Sequence, residues 1–339
     1  MADLLSTGIS GVRTYQRALA TVGNNIANVD TEGYSRQRVE IAQSASSSEG
    51  SLNIGNGARA VRVQRSYDNF VVENLRSSQS QLNKHQATLE YVTQLENILA
   101  DKQLSLSTSM DGFFAAVQEV SLAPSSVAAR QNMLNVAEST VAQFTSVGTQ
   151  LSLIEENSYS DLTGQVSSLN QLADQLASVN ASLNRVNSLD KQPNELLDRR
   201  DTLIQDMSKL LRVHVVEKNN GAVDIHIGDV ASGQYLVRDK TASTLGIERS
   251  ATNPDEAVLM LDPFMSPQKV TQVVGGSIAG ISEFRQNSLT ILRDELDTLT
   301  QVFVGEVNDA HALGIDAQGN FGGELFSLGN IYTVTPGLN

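Results

Sequence analysis

The sequence contains no cysteine and no tryptophan, and only 5% of its residues are aromatic. Without thiols it can hold neither a disulfide scaffold nor a thiolate metal site. With so few rings, aliphatic side chains must pack whatever core its 339 residues form. Proline is scarce too. Its six prolines begin only at Pro124, which leaves the first third of the chain free to form long helices. No stretch approaches the roughly 20 apolar residues of a membrane span. No basic patch interleaved with aromatics marks a nucleic-acid surface. HExxH, GxSxG, P-loop and GxGxxG motifs are all missing, so the common metalloprotease, hydrolase and nucleotide-binding chemistries find no foothold. The opening MADLLSTGISGVRTYQRALATV lacks the basic start and unbroken apolar run of a secretory leader. If the chain is exported, a route that reads no such signal is expected.

What is present is unevenly charged. The net charge is −14, yet residues 1–76 hold eight arginines, no lysine and seven acids. The acidic remainder favours solubility, while the nearly neutral first segment can associate with like copies. Hydrophobic residues make up 40%, enough for a packed core.

Leu5, Val12, Leu19 and Ile26 recur every seven residues, with Ile9 and Val22 between them, as on an amphipathic helix. Gly8, Gly11 and Gly23 weaken that helix by roughly 1 kcal/mol each against alanine, so it is expected to need a partner and to be loose or disordered in the monomer. Asn28 to Tyr34 reads as a turn, Ser44 to Gly57 as a loop, and Ala60 to Arg65 as a short exposed strand. A long helix is expected from about Tyr67, with Leu75, Leu82 and Leu89, followed by Val92, Leu95 and Leu99, as an intrachain seam. A second runs from about Ser125 to Val186 on the heptad Leu162, Leu169, Leu176 and Leu183. Asn194 to Leu211 is a third.

A β-rich insert then follows. Val213–Val216, the turn Asn219-Asn220-Gly221 and Val223–Ile227 read as a hairpin. Further strands are expected at Gln234–Arg238, Ala257–Asp262 and Val270–Val274. The last long helix spans about Ser277 to Ala312, where Leu289, Leu292, Leu296, Leu299 and Phe303 alternate three and four. Ile331–Val334 starts another strand.

Candidate chemistry is sparse. His214 and His226 face each other across the proposed hairpin, but two imidazoles without a third ligand read as an exposed cross-strand pair. His85 and His311 stand apart. Asp316, Gln318 and Asn320 hint at a calcium loop, yet Phe321 stands where an EF-hand needs glycine and Ser327 where it needs glutamate. Asp198-Arg199-Arg200-Asp201 reads as solvated or interhelical ion pairs. No catalytic residue, metal or cofactor is expected.

Ser10-Gly11, Leu19, Asn24-Asn25-Ile26-Ala27-Asn28, Thr31, Gly33-Tyr34 and Arg36 resemble the N-terminal signature of the flagellar rod and hook axial family. Three further stretches sharpen the resemblance to hook-associated protein 1 (FlgK). One is Gly55-Asn56-Gly57 with Val61, Val63, Arg65, Asp68, Phe70 and Leu75-Arg76. Another is Asn194-Glu195-Leu196-Leu197-Asp198-Arg199-Arg200-Asp201-Thr202-Leu203. The last is Gly314 to Asn320 with Gly322, Leu325 and Phe326.

The resemblance, together with the residue patterns, implies a mainly α fold with a β-rich insert (α+β). A long antiparallel coiled-coil-like shaft would carry a small β domain. The expected divisions are an axial assembly segment at 1–66, a shaft at 67–211 with 277–313, the insert at 212–276, and the start of a truncated outer β domain at 314–339. Family members usually continue through that outer domain to a C-terminal helix that pairs with the N-terminal one.

The implied function is structural and non-enzymatic: an extracellular subunit at the hook–filament junction, exported through the flagellar type III channel without a cleaved signal. Implied partners are further copies, the hook protein, the second junction protein, and an export chaperone acting through the C-terminal helix. Neither nucleic acid nor membrane is expected. The expected assembly contacts are Leu5, Ile9, Val12, Leu19, Val22 and Ile26, with Asn24, Asn25, Asn28, Gly33 and Tyr34 shaping the turn below. The alternatives are a rod or hook subunit, or an adhesin or enzyme displayed on the axial scaffold.

Overall fold

The computed structural model describes residues 4–45, 47–49, 52–54, 56–186, 188, 193–228, 233–250, 257–262, 266–270, 272–316 and 319–328. Helix α1 (Leu4–Ala27) leads through a turn into strand β1 (Gln37–Gln43). A small hairpin, β2 (Ser47–Glu49) and β3 (Leu52–Ile54), precedes β4 (Ala58–Arg65). Helices α2 (Asn69–Ala100), α3 (Leu106–Leu122), α4 (Val127–Leu183) and α5 (Asn194–Leu210) come next. Strands β5 (Val213–Glu217), β6 (Val223–Ile227), β7 (Tyr235–Arg238), β8 (Thr241–Ala242), β9 (Leu245–Arg249), β10 (Ala257–Leu261) and β11 (Gln268–Lys269) form the insert. Helix α6 (Gly276–Phe284) continues through a π-helical turn, Arg285–Leu289, into α7 (Thr290–Ala312). The protein is therefore mainly helical, with small antiparallel sheets, as the residue patterns predict.

The chain forms two compact units. The first comprises residues 1–82, 167–246 and 260–276. Within it, β1 pairs antiparallel with β4, with a bulge between Glu40 and Ile41. The four-stranded sheet β5-β6-β7-β8 buries Ile225, Ile227, Leu236 and Val237, and α5 buries Ile204 and Met207. Asn180 on α4 ties itself to the sheet edge. Its amide donates to the carbonyls of Val223 and Asp239 at 2.7 Å, and its oxygen accepts the Val223 N–H at 3.0 Å.

The second unit comprises residues 83–166, 247–259 and 277–339. Phe113, Phe144, Phe303 and Phe326 cluster there with centroids 5.4–5.8 Å apart, concentrating four of the chain's few rings in one place. The π-turn aims Arg285 inward, where its guanidinium donates to the Glu155 carboxylate (2.9 Å), the Glu155 carbonyl and Ser158 Oγ (both 2.7 Å). Gly280 lets α6 approach α2, for a Cβ there would lie 2.3 Å from the Lys84 carbonyl oxygen.

Several expectations need correction. Of the α2 seam, Leu95 is buried as expected, but Leu75, Leu82, Leu89 and Leu99 are exposed, and Ala87 and Tyr91 are buried beside Leu95. The heptad Leu162, Leu169, Leu176 and Leu183 is fully buried, as predicted. The stretch 44–57 contains the β2–β3 hairpin. No strand covers 272–274; the pairing falls at Gln268 and Lys269. Strand β1 and helix α3 were not among the expected elements, although α3 carries Leu106, Met110, Phe113, Val117 and Val120 at alternating four and three. The strand expected at Ile331–Val334 lies outside the described residues.

Candidate assembly surface

Helix α1 is amphipathic in an inverted sense. The face turned toward its own hairpin carries small polar residues at helical spacing: Ser10, Thr14, Thr21 and Asn25. Thr14, 3% exposed, places its hydroxyl 2.8 Å from the Ser10 carbonyl and 3.1 Å from that of Ala58 on β4. Ser10 Oγ donates to the Thr7 carbonyl at 2.7 Å and accepts the Ala58 N–H at 3.3 Å. This close approach needs Gly57, whose φ is +86° and whose missing Cβ would stand 2.1 Å from Ser10 Oγ. At the other end, the Asn25 amide grips β1 from both sides, donating to the Gln37 carbonyl (2.8 Å) and accepting its N–H (2.9 Å).

The six apolar residues expected as contacts lie on the opposite face. Leu5 is 67% exposed, Leu19 70% and Ile26 69%, and Ile9, Val12 and Val22 are exposed beside them. Tyr15 and Val29 extend the stripe. An amphipathic helix ordinarily turns its apolar face to the core. Here that face is left to solvent, and contiguous exposed apolar surface marks a place where something else binds.

The expected turn residues converge below the helix. Tyr34 donates its hydroxyl proton to Asn25 Oδ1 (2.9 Å) and accepts from the Asn24 amide (3.2 Å). Asn28 donates to the Asn24 carbonyl at 2.9 Å. Gly33 has φ +79°, and a Cβ there would meet Thr202 Oγ1 of α5 at 2.2 Å. Asn24, Asn25, Asn28, Gly33 and Tyr34 thus join one another and the hairpin, while the apolar six are 42–70% exposed.

Of the two readings given for the charged run on α5, the interhelical one is met, since Asp201 pairs with Arg76 of α2. Asp198, Arg200 and Asp201 are buried in an ion network rather than solvated. Asp201 meets three guanidinium groups. It contacts Arg65 through Oδ2, and through Oδ1 it accepts from Arg200 (2.8 and 3.0 Å) and Arg76 (3.4 Å). Arg65 Nε also lies 2.8 Å from Asp198, and Arg200 reaches Glu217 at 2.9 Å. Burial pushes the Asp198 carboxyl above its ordinary range, despite the opposing pull of Ser35 and Arg65. Burial also opposes the Arg200 charge, but Asp201 and Glu217 outweigh it and hold its pKa above the ordinary value.

His214 and His226 pair across the hairpin as read. His226, however, is buried and stacks on Tyr235 at 4.1 Å rather than lying exposed. No group of three or more metal-ligating side chains exists among the described residues. Asp316 caps its own turn, accepting the Asn320 N–H at 2.8 Å. Sequence reasoning missed the inner α1 face and the buried network. Serine, threonine and asparagine spaced four and seven apart opposite the seam were the available signal for the first.

Comparison with known proteins agrees across the chain. Residues 92–326 match the family described as the flagellar hook-associated protein FlgK helical domain, and residues 5–34 match the flagella basal body rod protein family. Flagellar hook-associated protein 1 of Salmonella typhimurium is 33% identical over 340 residues, covering 97% of this chain and 60% of the relative. The Escherichia coli protein of that name is 31% identical over 336 residues with the same coverage, and that of Bacillus subtilis 23% over 354. The chain spans about 60% of the length of the first two relatives. The solved flagellar hook junction protein FlgK from Burkholderia pseudomallei superposes with a TM-score of 0.69 at 27% identity, covering 76% of this chain and 47% of that one.

Proposed function

The chain belongs to the flagellar hook-associated protein 1 family, and from that premise we propose that it is a structural, non-enzymatic subunit of the flagellar axis at the hook–filament junction. The observation that carries this reading is the inverted helix: α1 is anchored by its polar face and offers its apolar face outward. A heterologous stack of subunits covers such a stripe on every copy.

The magnitudes suit a polymer. Six aliphatic side chains, each already partly covered, gain on the order of 6 kcal/mol on full burial. Association costs roughly 4–15 kcal/mol, so a lone pair of chains binds weakly and a subunit held by several neighbours binds well. The same weakness keeps the protein monomeric before export.

The partners in this reading are further copies, the hook protein below, the second junction protein above and a dedicated export chaperone. The site of action is extracellular, reached through the flagellar type III channel. The proposal is tested by deleting the gene, imaging the cells by electron microscopy and assaying flagellin in the medium. Hooks without filaments, with flagellin shed outside, are expected. Cells without hooks would move the subunit to the rod or hook, and intact filaments would overturn the reading.

A further inference from the structure

We propose that Asp201 is a positioning residue for assembly: a latch that fixes the N-terminal segment, and with it the exposed face of α1, onto helix α5. This rests on reading α1 as the assembly surface. Polar contacts join residues 4–65 to α5. The Asn194 amide donates to the Val63 carbonyl (3.2 Å), Asp198 and Asp201 hold Arg65, and Thr202 sits against Gly33. Positions 194, 198, 201 and 202 lie on one side of the helix, whereas the buried apolar residues Leu203, Ile204 and Met207 lie off that side.

A joint of this kind is directional. Apolar packing tolerates sliding, whereas Arg65 meets two acids one turn apart on α5 at once, Asp198 through Nε and Asp201 through a terminal nitrogen. Arg65 is well placed for the role. It is the last residue of β4, its side chain is 7% exposed, and its guanidinium also donates to Ser35 Oγ at 3.1 Å and lies 4.9 Å from the Tyr67 ring. The two acids are not equivalent. Asp201 touches Arg65, Arg76 and Arg200, whereas Asp198 pairs with Arg65 and bears a charge that burial opposes. Neutralising Asp201 leaves the three arginine side chains, all at most 9% exposed, facing two carboxylates, Asp198 and Glu217.

Amide hydrogen exchange on the full chain tests the latch. In Asp201→Asn, the amides of β1 and β4 are expected to exchange at least about tenfold faster than in the native protein, while those of β5 to β7 stay within about twofold. Asp198→Asn is expected to have the smaller effect, and Asp201→Glu to restore most of the protection. Should Asp201→Asn not fold, Arg65→Met probes the joint from the hairpin side, with the same pattern expected. Unchanged exchange in β1 and β4 would overturn the proposal, as would an equal rise in β5 to β7 or equal effects of the two aspartates. In cells, Asp201→Asn should impair filament attachment and Asp201→Glu should support it; normal attachment by a released hairpin also overturns it. Leu19→Asp separates the two ideas, because it leaves exchange native. If that variant assembles normally, the assembly reading fails while the latch stands.

Discussion

His226 shows how burial turns a residue into a pH-sensitive one. It stacks on Tyr235 and faces His214, with Asp224 nearby on its own strand. Burial and His214 lower its pKa, against the pull of Asp224. The unfolded chain therefore takes up a proton, near pH 6.5, that the folded sheet refuses. Stability is full above that value and is lost as pH falls through it toward the depressed folded value. The denaturant midpoint of the native chain should fall between about pH 7 and 5, and His226→Phe should flatten that slope. An unaltered slope in the variant would assign the effect to other groups. Gly33 gives a second test at this scale. Gly33→Ala forces a side chain into left-handed backbone and against Thr202, so a loss of at least about 1–2 kcal/mol is expected in equilibrium unfolding. The glycine was legible as part of a turn; its contact with α5 was not, because nothing local in the sequence encodes a neighbour 169 positions away.

At the scale of elements, one period had two outcomes. The leucines of α4 at 162, 169, 176 and 183 are buried, and those of α2 at 75, 82 and 89 are exposed. A seven-residue repeat tells which side of a helix is apolar, not what covers it. Leu176→Ala should cost about 2–5 kcal/mol, whereas Leu82→Ala should stay within about 0.5 kcal/mol of native. Comparable losses in chemical denaturation would contradict the assignment of faces. Helices α4, α5 and α7 and the β5–β6 hairpin were readable because their periods are long or their turn is marked by Asn220-Gly221. The charged run was read as solvated or interhelical ion pairs, a choice nothing local decides, and only the fold brings Arg65 and Arg76 to Asp201.

For the whole molecule, fold class and family were both legible, since the motifs are distributed along the chain and the helical patterns set the class. The assembly surface was legible as a stripe, and its exposure required the structure. In the reading proposed, a subunit whose anchored helix turns apolar side chains outward is completed by its neighbours. The negative charge lies in the body, since residues 1–76 carry eight arginines against seven acids and the whole chain is at −14.

The most direct measurement is complementation of the gene deletion with a chain carrying Val12→Asp and Leu19→Asp. Both positions are exposed, so the purified variant should unfold within about 0.5 kcal/mol of native. The account predicts that the cells nonetheless make hooks without filaments and release flagellin. Normal filaments from this stably folded variant would show that the outward face of α1 is not where the axis assembles.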